Sequence, residues 1–185
     1  MRNPNLPHPD EGLASSRRRG APLLVTAELP PDVQGWADQL RQQHYPPERN
    51  RLRAHVTLFH ALPPSVEAEV VQVLAGLAAK PSPHAEICGV MKLENGTAFA
   101  VNSPEMVDLH ADIAERMHGL LSRQDAQPLR LHITIQNKVE TRLARALQGE
   151  LAANFRPRLF RFQGFGLYAW EEGLWRPLRT IVFRR

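Results

Sequence analysis

The chain has one cysteine, three lysines and two tyrosines among 185 residues, and no apolar run approaching 18 residues. A single cysteine, Cys88, excludes an internal disulfide and a Cys-rich zinc site, and points to a reducing, cytoplasmic compartment. The missing apolar run excludes a membrane-spanning helix, and the N-terminus lacks the apolar block of a signal peptide, so a soluble protein with no membrane partner is expected. The scarcity of lysine leaves 20 arginines to carry most of the basic charge, with a net charge of +4. The planar guanidinium fork matches phosphate, so this composition suits phosphorylated partners, although arginine usage also follows genome composition. The length is that of one domain, or of two small lobes sharing a core.

Residues 1–20 hold Pro4, Pro7 and Pro9, then Arg17 to Arg19, with little apolar content to offset ordering. They read as a disordered basic tail ahead of a folded domain at 21–185. A strand is expected at 23–29 and a helix opening at Pro30, Pro31 and Asp32, with Val33, Trp36, Ala37 and Leu40 on one face. A strand at 52–59 follows, then a helix carrying Val66, Val70, Val73, Leu74 and Leu77. Two strands within 85–102 flank Asn95 and Gly96, a pair that favours a type I′ hairpin turn. Ser103 and Pro104 open a helix with a stripe of Met106, Leu109, Ile113, Met117 and Leu120. A strand at 129–136, a helix through Leu143, Leu147 and Leu151, and a β ribbon over 158–183 turning at 171–173 complete the chain. Pro177 assigns the last strand to an edge or a bend. The order strand, helix, strand, helix, strand occurs twice, which implies two similar halves.

Two segments occupy matching points of those halves: Arg53-Ala54-His55-Val56-Thr57-Leu58 and Arg130-Leu131-His132-Ile133-Thr134-Ile135. Composition predicts Arg-x-His-x-Ser/Thr well below once per chain, and it occurs twice. Strand alternation puts Arg53, His55, Thr57 and Phe59 on one face, and Arg130, His132, Thr134 and Gln136 on one face of the other segment. If the halves pack about a pseudo-twofold axis, the two rows meet across a cleft. Such a pair suits phosphodiester cleavage: one neutral imidazole accepts a proton, the other supplies one, and the threonine hydroxyls hold the non-bridging oxygens. This chemistry needs no metal or cofactor. A metal site is disfavoured, because alternation turns His60 away from His55 and no carboxylates cluster nearby. Half-buried histidines bonded only to their threonine neighbours are the structural alternative. Arg53 and Arg130 are candidate phosphate or nucleotide contacts. Phe59 and Tyr168 are candidates to stack a base, and Gln136 is a further candidate substrate contact.

Two H-x-T-hydrophobic motifs about 77 residues apart resemble those of the two-histidine (2H) phosphoesterases, above all the bacterial 2′-5′ RNA ligase, or RNA 2′,3′-cyclic phosphodiesterase, branch. The resemblance covers 21–185. It implies a bilobal α+β fold with two antiparallel sheets lining a central cleft and helices outside. It also implies metal-independent hydrolysis of 2′,3′-cyclic phosphates or related 2′-5′ bonds, with RNA ends or small cyclic nucleotides as substrates and ligation as the reverse reaction. His55 and His132 would then be acid and base, and Thr57 and Thr134 would bind phosphate. A monomer is expected. A non-catalytic RNA- or nucleotide-binding module using the same cleft, or a metal-dependent hydrolase, is the alternative function.

Overall fold

The computed structural model describes residues 20–184, and the tail expected at 1–20 lies outside them except for Gly20. Eight strands and four α-helices follow in the order β1 (Leu23–Glu28), α1 (Pro31–His44), β2 (Val56–Leu62), α2 (Glu67–Ala78), β3 (His84–Leu93), β4 (Gly96–Asn102), α3 (Pro104–Arg116), β5 (His132–Asn137), α4 (Thr141–Ala153), β6 (Arg158–Arg161), β7 (Gly164–Glu171) and β8 (Leu174–Val182). The strands form a single antiparallel sheet of order β6-β3-β4-β5-β2-β1-β7-β8. The two sheets implied by the resemblance are its four-stranded halves. They join at one residue pair, Val56 with Ile133. The fold is α+β, as expected.

Local chemistry explains the helices. Pro30 and Pro31 preset the first turn of α1, and Tyr45, ahead of Pro46, leaves helical geometry and ends it. Ser103 caps α3 by accepting a hydrogen bond from the Met106 amide at 3.3 Å. Met106, Leu109, Ile113 and Met117 are buried, whereas Leu120 lies past the helix end and is exposed. One helix crosses between halves: α1, from the first half, packs on β5 of the other, whereas α4 packs on β3 and β4 of its own half.

Two turns differ from expectation. The β3–β4 turn is Glu94–Asn95, one residue early, because Gly96 already pairs with Leu93 in the ladder. Gly96 is needed for close approach instead: a Cβ there would sit 2.2 Å from the Gln136 carbonyl oxygen of β5. The type I′ geometry falls in the β7–β8 turn, where Glu172 and Gly173 have φ of 51° and 83°. Pro177 does lie on an edge strand, β8.

Candidate active site

Val56 and Ile133 are fully buried on the helix side of the sheet. Their neighbours His55, Thr57, His132 and Thr134 therefore turn to the opposite face, which is the cleft. Antiparallel pairing sets His55 beside Thr134 and Thr57 beside His132, so imidazoles occupy one diagonal of a square and hydroxyls the other. All four side chains are half-buried.

Each imidazole is held identically. His55 Nδ1 lies 2.7 Å from the Arg53 carbonyl oxygen, and His132 Nδ1 lies 2.6 Å from that of Arg130. A carbonyl can only accept, so Nδ1 carries the proton in both rings and Nε2 is left for chemistry. Desolvation pushes His55 down to about 4; the bond to the Arg53 carbonyl opposes this, while Arg41, His132 and His60 add to it. His132 is lowered by burial as well, opposed by the Arg130 carbonyl and reinforced by His60 and Arg130.

This depression makes stability depend on pH. In the unfolded chain His55 binds a proton near pH 6.5, and in the folded protein only near 4, so acidification through that window favours unfolding. The folding free energy is expected to fall by up to about 3 kcal/mol from this residue between pH 6.5 and 4. Urea unfolding at pH 7, 5.5 and 4.5 checks it: His55→Gln should show a visibly shallower decline than the unsubstituted protein, and parallel declines would contradict the assignment.

The residues around the square are fixed by partners the sequence did not reveal. Arg41 of α1 is buried beneath it. Its guanidinium donates to the Thr134 carbonyl at 2.7 Å, to Asn50 Oδ1 at 2.8 and 3.1 Å and to the Leu52 carbonyl at 3.2 Å. One side chain thereby ties the loop ahead of β2 to the backbone of β5. On the cleft face Thr26 lies opposite both Thr57 and Gly166. Glu28 Oε1 accepts from Thr26 Oγ1 at 2.5 Å and from the Tyr168 hydroxyl at 3.3 Å. A Cβ on Gly166 would meet that carboxylate oxygen at 2.1 Å, so glycine makes room for this cluster. Burial, then Glu28, pushes the Tyr168 hydroxyl up to about 12. Tyr168 is half-buried on the cleft side.

Four expectations require correction. Phe59 is fully buried and stacks on His110 of α3 with centroids 4.5 Å apart, so it cannot meet a base. Gln136 is buried on the helix side against Thr97 and lines a depression beside Tyr45 and Leu147, away from the cleft. The cause is the same in both. Each motif strand carries a β-bulge just after its threonine, at Leu58–Phe59 against β1 and at Ile135–Gln136 against β4, which turns two consecutive residues inward. The same bulge overturns the third expectation, because His60 emerges on the cleft face with His55. Fourth, Arg53 and Arg130 precede strands that begin only at Val56 and His132. β1 pairs with β2 only as far as Val56, which leaves the segment ahead of it without a ladder. Arg53 is held by Asp38, Nε to Oδ2 at 2.9 Å, with its side chain 74% exposed, and Arg130 is exposed. Arg53 acts electrostatically on Tyr168, and Arg130 on His132.

Arg41, Asp125 and His60 are the residues that sequence reasoning missed. His60 had a signal, five positions after His55, where the second motif has Asn137. Asp125 had none. Among the described residues, no group of three or more His, Cys, Asp or Glu could hold a metal ion, and no helix is long and apolar enough to cross a membrane.

A sheet folded about a pseudo-twofold pair, with two H-x-T rows flanking it on the cleft face, defines the 2H phosphoesterase class. Residues 29–174 match the 2′-5′ RNA ligase superfamily, and the chain belongs to that family. The fold is similar to the crystal structure of TT0787 of Thermus thermophilus, with a TM-score of 0.62 at 16% identity over 88% of this chain and 98% of that one. It is also similar to E. coli LigT complexed with 3′-AMP, with a TM-score of 0.52 at 18% identity over 90% and 99% of the two chains. LigT complexed with NADP+ gives a TM-score of 0.53 at 18% identity and the same coverage. No curated protein matches the sequence. The family is one of phosphoesterase- and ligase-like enzymes.

Proposed function

We propose that this protein hydrolyses 2′,3′-cyclic phosphates at RNA ends or on small nucleotides by two-histidine acid–base catalysis without a metal. The observation that carries this reading is the diagonal square of two imidazoles and two hydroxyls, with both rings anchored through Nδ1 to a carbonyl two residues earlier. His55, the ring held deprotonated to about pH 4, takes a proton from water through Nε2. The water oxygen bonds to phosphorus, and the bond from phosphorus to one ribose oxygen breaks. His132, entering the cycle as the imidazolium, delivers its Nε2 proton to that leaving oxygen and is left neutral with Nδ1–H on the Arg130 carbonyl, and the threonine hydroxyls donate to the non-bridging oxygens. Run backwards with a ribose hydroxyl in place of water, the same transfers form a 2′-5′ bond. Arg53, Arg130 and Tyr168 contact the nucleotide. A nucleotide with 3′-phosphate lies in the LigT structure, in keeping with this substrate class. The protein acts as a monomer in the cytoplasm.

An RNA oligonucleotide ending in a 2′,3′-cyclic phosphate, incubated with the protein in EDTA, is the test. Opening to a monophosphate end is expected. Salt-dependent binding with no product from pH 5 to 8 would leave a nucleotide-binding cleft in place of an enzyme, and activity appearing only with an added divalent metal would overturn the two-histidine mechanism.

A further inference from the structure

A third imidazole stands in the cleft, and nothing in the chemistry above uses it. His60 follows the β2 bulge and its side chain is 43% exposed on the cleft face. Its partner Asp125 comes from the connection between α3 and β5 and has a side chain only 1% exposed. Asp125 Oδ1 accepts from the His60 amide at 2.8 Å and from His60 Nδ1 at 2.9 Å; Oδ2 accepts from the Ala61 amide at 3.1 Å and the Ser122 hydroxyl at 2.8 Å. A buried carboxylate with four donors is a rigid mount, and it commits Nδ1–H, leaving Nε2 as the one free ring position. His60 also acts electrostatically on both His55 and His132. The matching position of the second half holds Asn137, whose side chain turns back to the Lys138 amide at 2.9 Å. The cleft is therefore asymmetric, with an added imidazole on the first-half side only. A phosphate within reach of the exposed Nε2 would accept a hydrogen bond from the doubly protonated ring, with the Asp125 carboxylate on its other nitrogen.

We propose that His60, mounted on Asp125, is a second phosphate-recognition point that favours substrates bearing a further phosphate next to the reacting diester, such as an oligonucleotide end, over a lone nucleoside cyclic phosphate. The inference rests on the cleft being a nucleotide site, and deepens that reading by giving it a length preference. His60 is a positioning residue and takes no part in proton transfer.

Equilibrium binding tests it without requiring turnover. Adenosine 3′-monophosphate, adenosine 3′,5′-bisphosphate and the dinucleotide ApAp are titrated against the unsubstituted protein and His60→Gln, with folding of both checked by circular dichroism. The unsubstituted protein is expected to bind each two-phosphate ligand roughly tenfold more tightly than the monophosphate, the size of one charge-assisted hydrogen bond. His60→Gln is expected to erase most of that ratio. A gain with the bisphosphate alone assigns the point to a terminal phosphate; a gain with ApAp as well assigns it to the strand. No gain with either ligand, or a gain that survives His60→Gln, overturns the proposal. Loss of turnover on cyclic ends with this binding pattern intact would sink the hydrolase reading alone.

Discussion

His55→Ala and His132→Ala are each expected to lower kcat on a 2′,3′-cyclic end by about 10²- to 10⁴-fold. Each ring occupies one corner of the square and reaches the diester through a single Nε2, so no neighbour can substitute. His60 has its Nδ1 fixed by Asp125, and Thr57 and Thr134 have no proton affinity suited to the task. The two histidines act in one event, so the double variant should lose little more than the worse single one. Single-turnover rates on the three variants check this. A loss below about tenfold for either single variant, or full multiplication of the losses in the double, would mean that the rings do not serve the same diester. KM should change less than kcat, since the hydroxyls and arginines remain to hold the ground state.

Arg41→Ala is expected to cost about 3 kcal/mol of folding free energy, because it leaves two half-buried backbone carbonyls and the Asn50 side chain without their donor. For a chain of this size the melting temperature should drop by roughly 6–12 °C. Arg41→Lys should recover only part of this, since an ammonium cannot spread fork-shaped donors over Thr134, Leu52 and Asn50 at once. Activity should fall with stability even below the melting range, because the Thr134 backbone is one of the groups released. Thermal denaturation followed by circular dichroism gives the first number, and kcat measured well below the transition gives the second. A melting change under about 2 °C would mean that the bonds from Arg41 contribute nothing net.

The repeated row of histidine and threonine was readable because strand alternation is a local rule, and Val56 and Ile133 obey it: both are buried, and their neighbours face the cleft. The rule failed one or two residues later. Phe59, Gln136 and His60 all lie beyond a bulge, and a bulge is set by how β2 meets β1 and β5 meets β4, which no window of sequence reports. The hairpin misread has a similar cause. Asn95-Gly96 carries the strongest turn chemistry in its segment, yet Gly96 is taken by a backbone contact with β5 that only the assembled sheet imposes.

Composition, periodicity and the doubled motif were enough to define an α+β chain of two similar halves and to single out His55, Thr57, His132 and Thr134, because each of these signals depends on neighbours along the chain. Tertiary structure alone decided that the halves share one sheet through the Val56–Ile133 pair, that Arg41 braces the square from behind, and that Asp125, 65 residues from His60, holds that imidazole. Those choices are made by hydrogen bonds between distant segments, whose partners are fixed only once the chain has closed on itself.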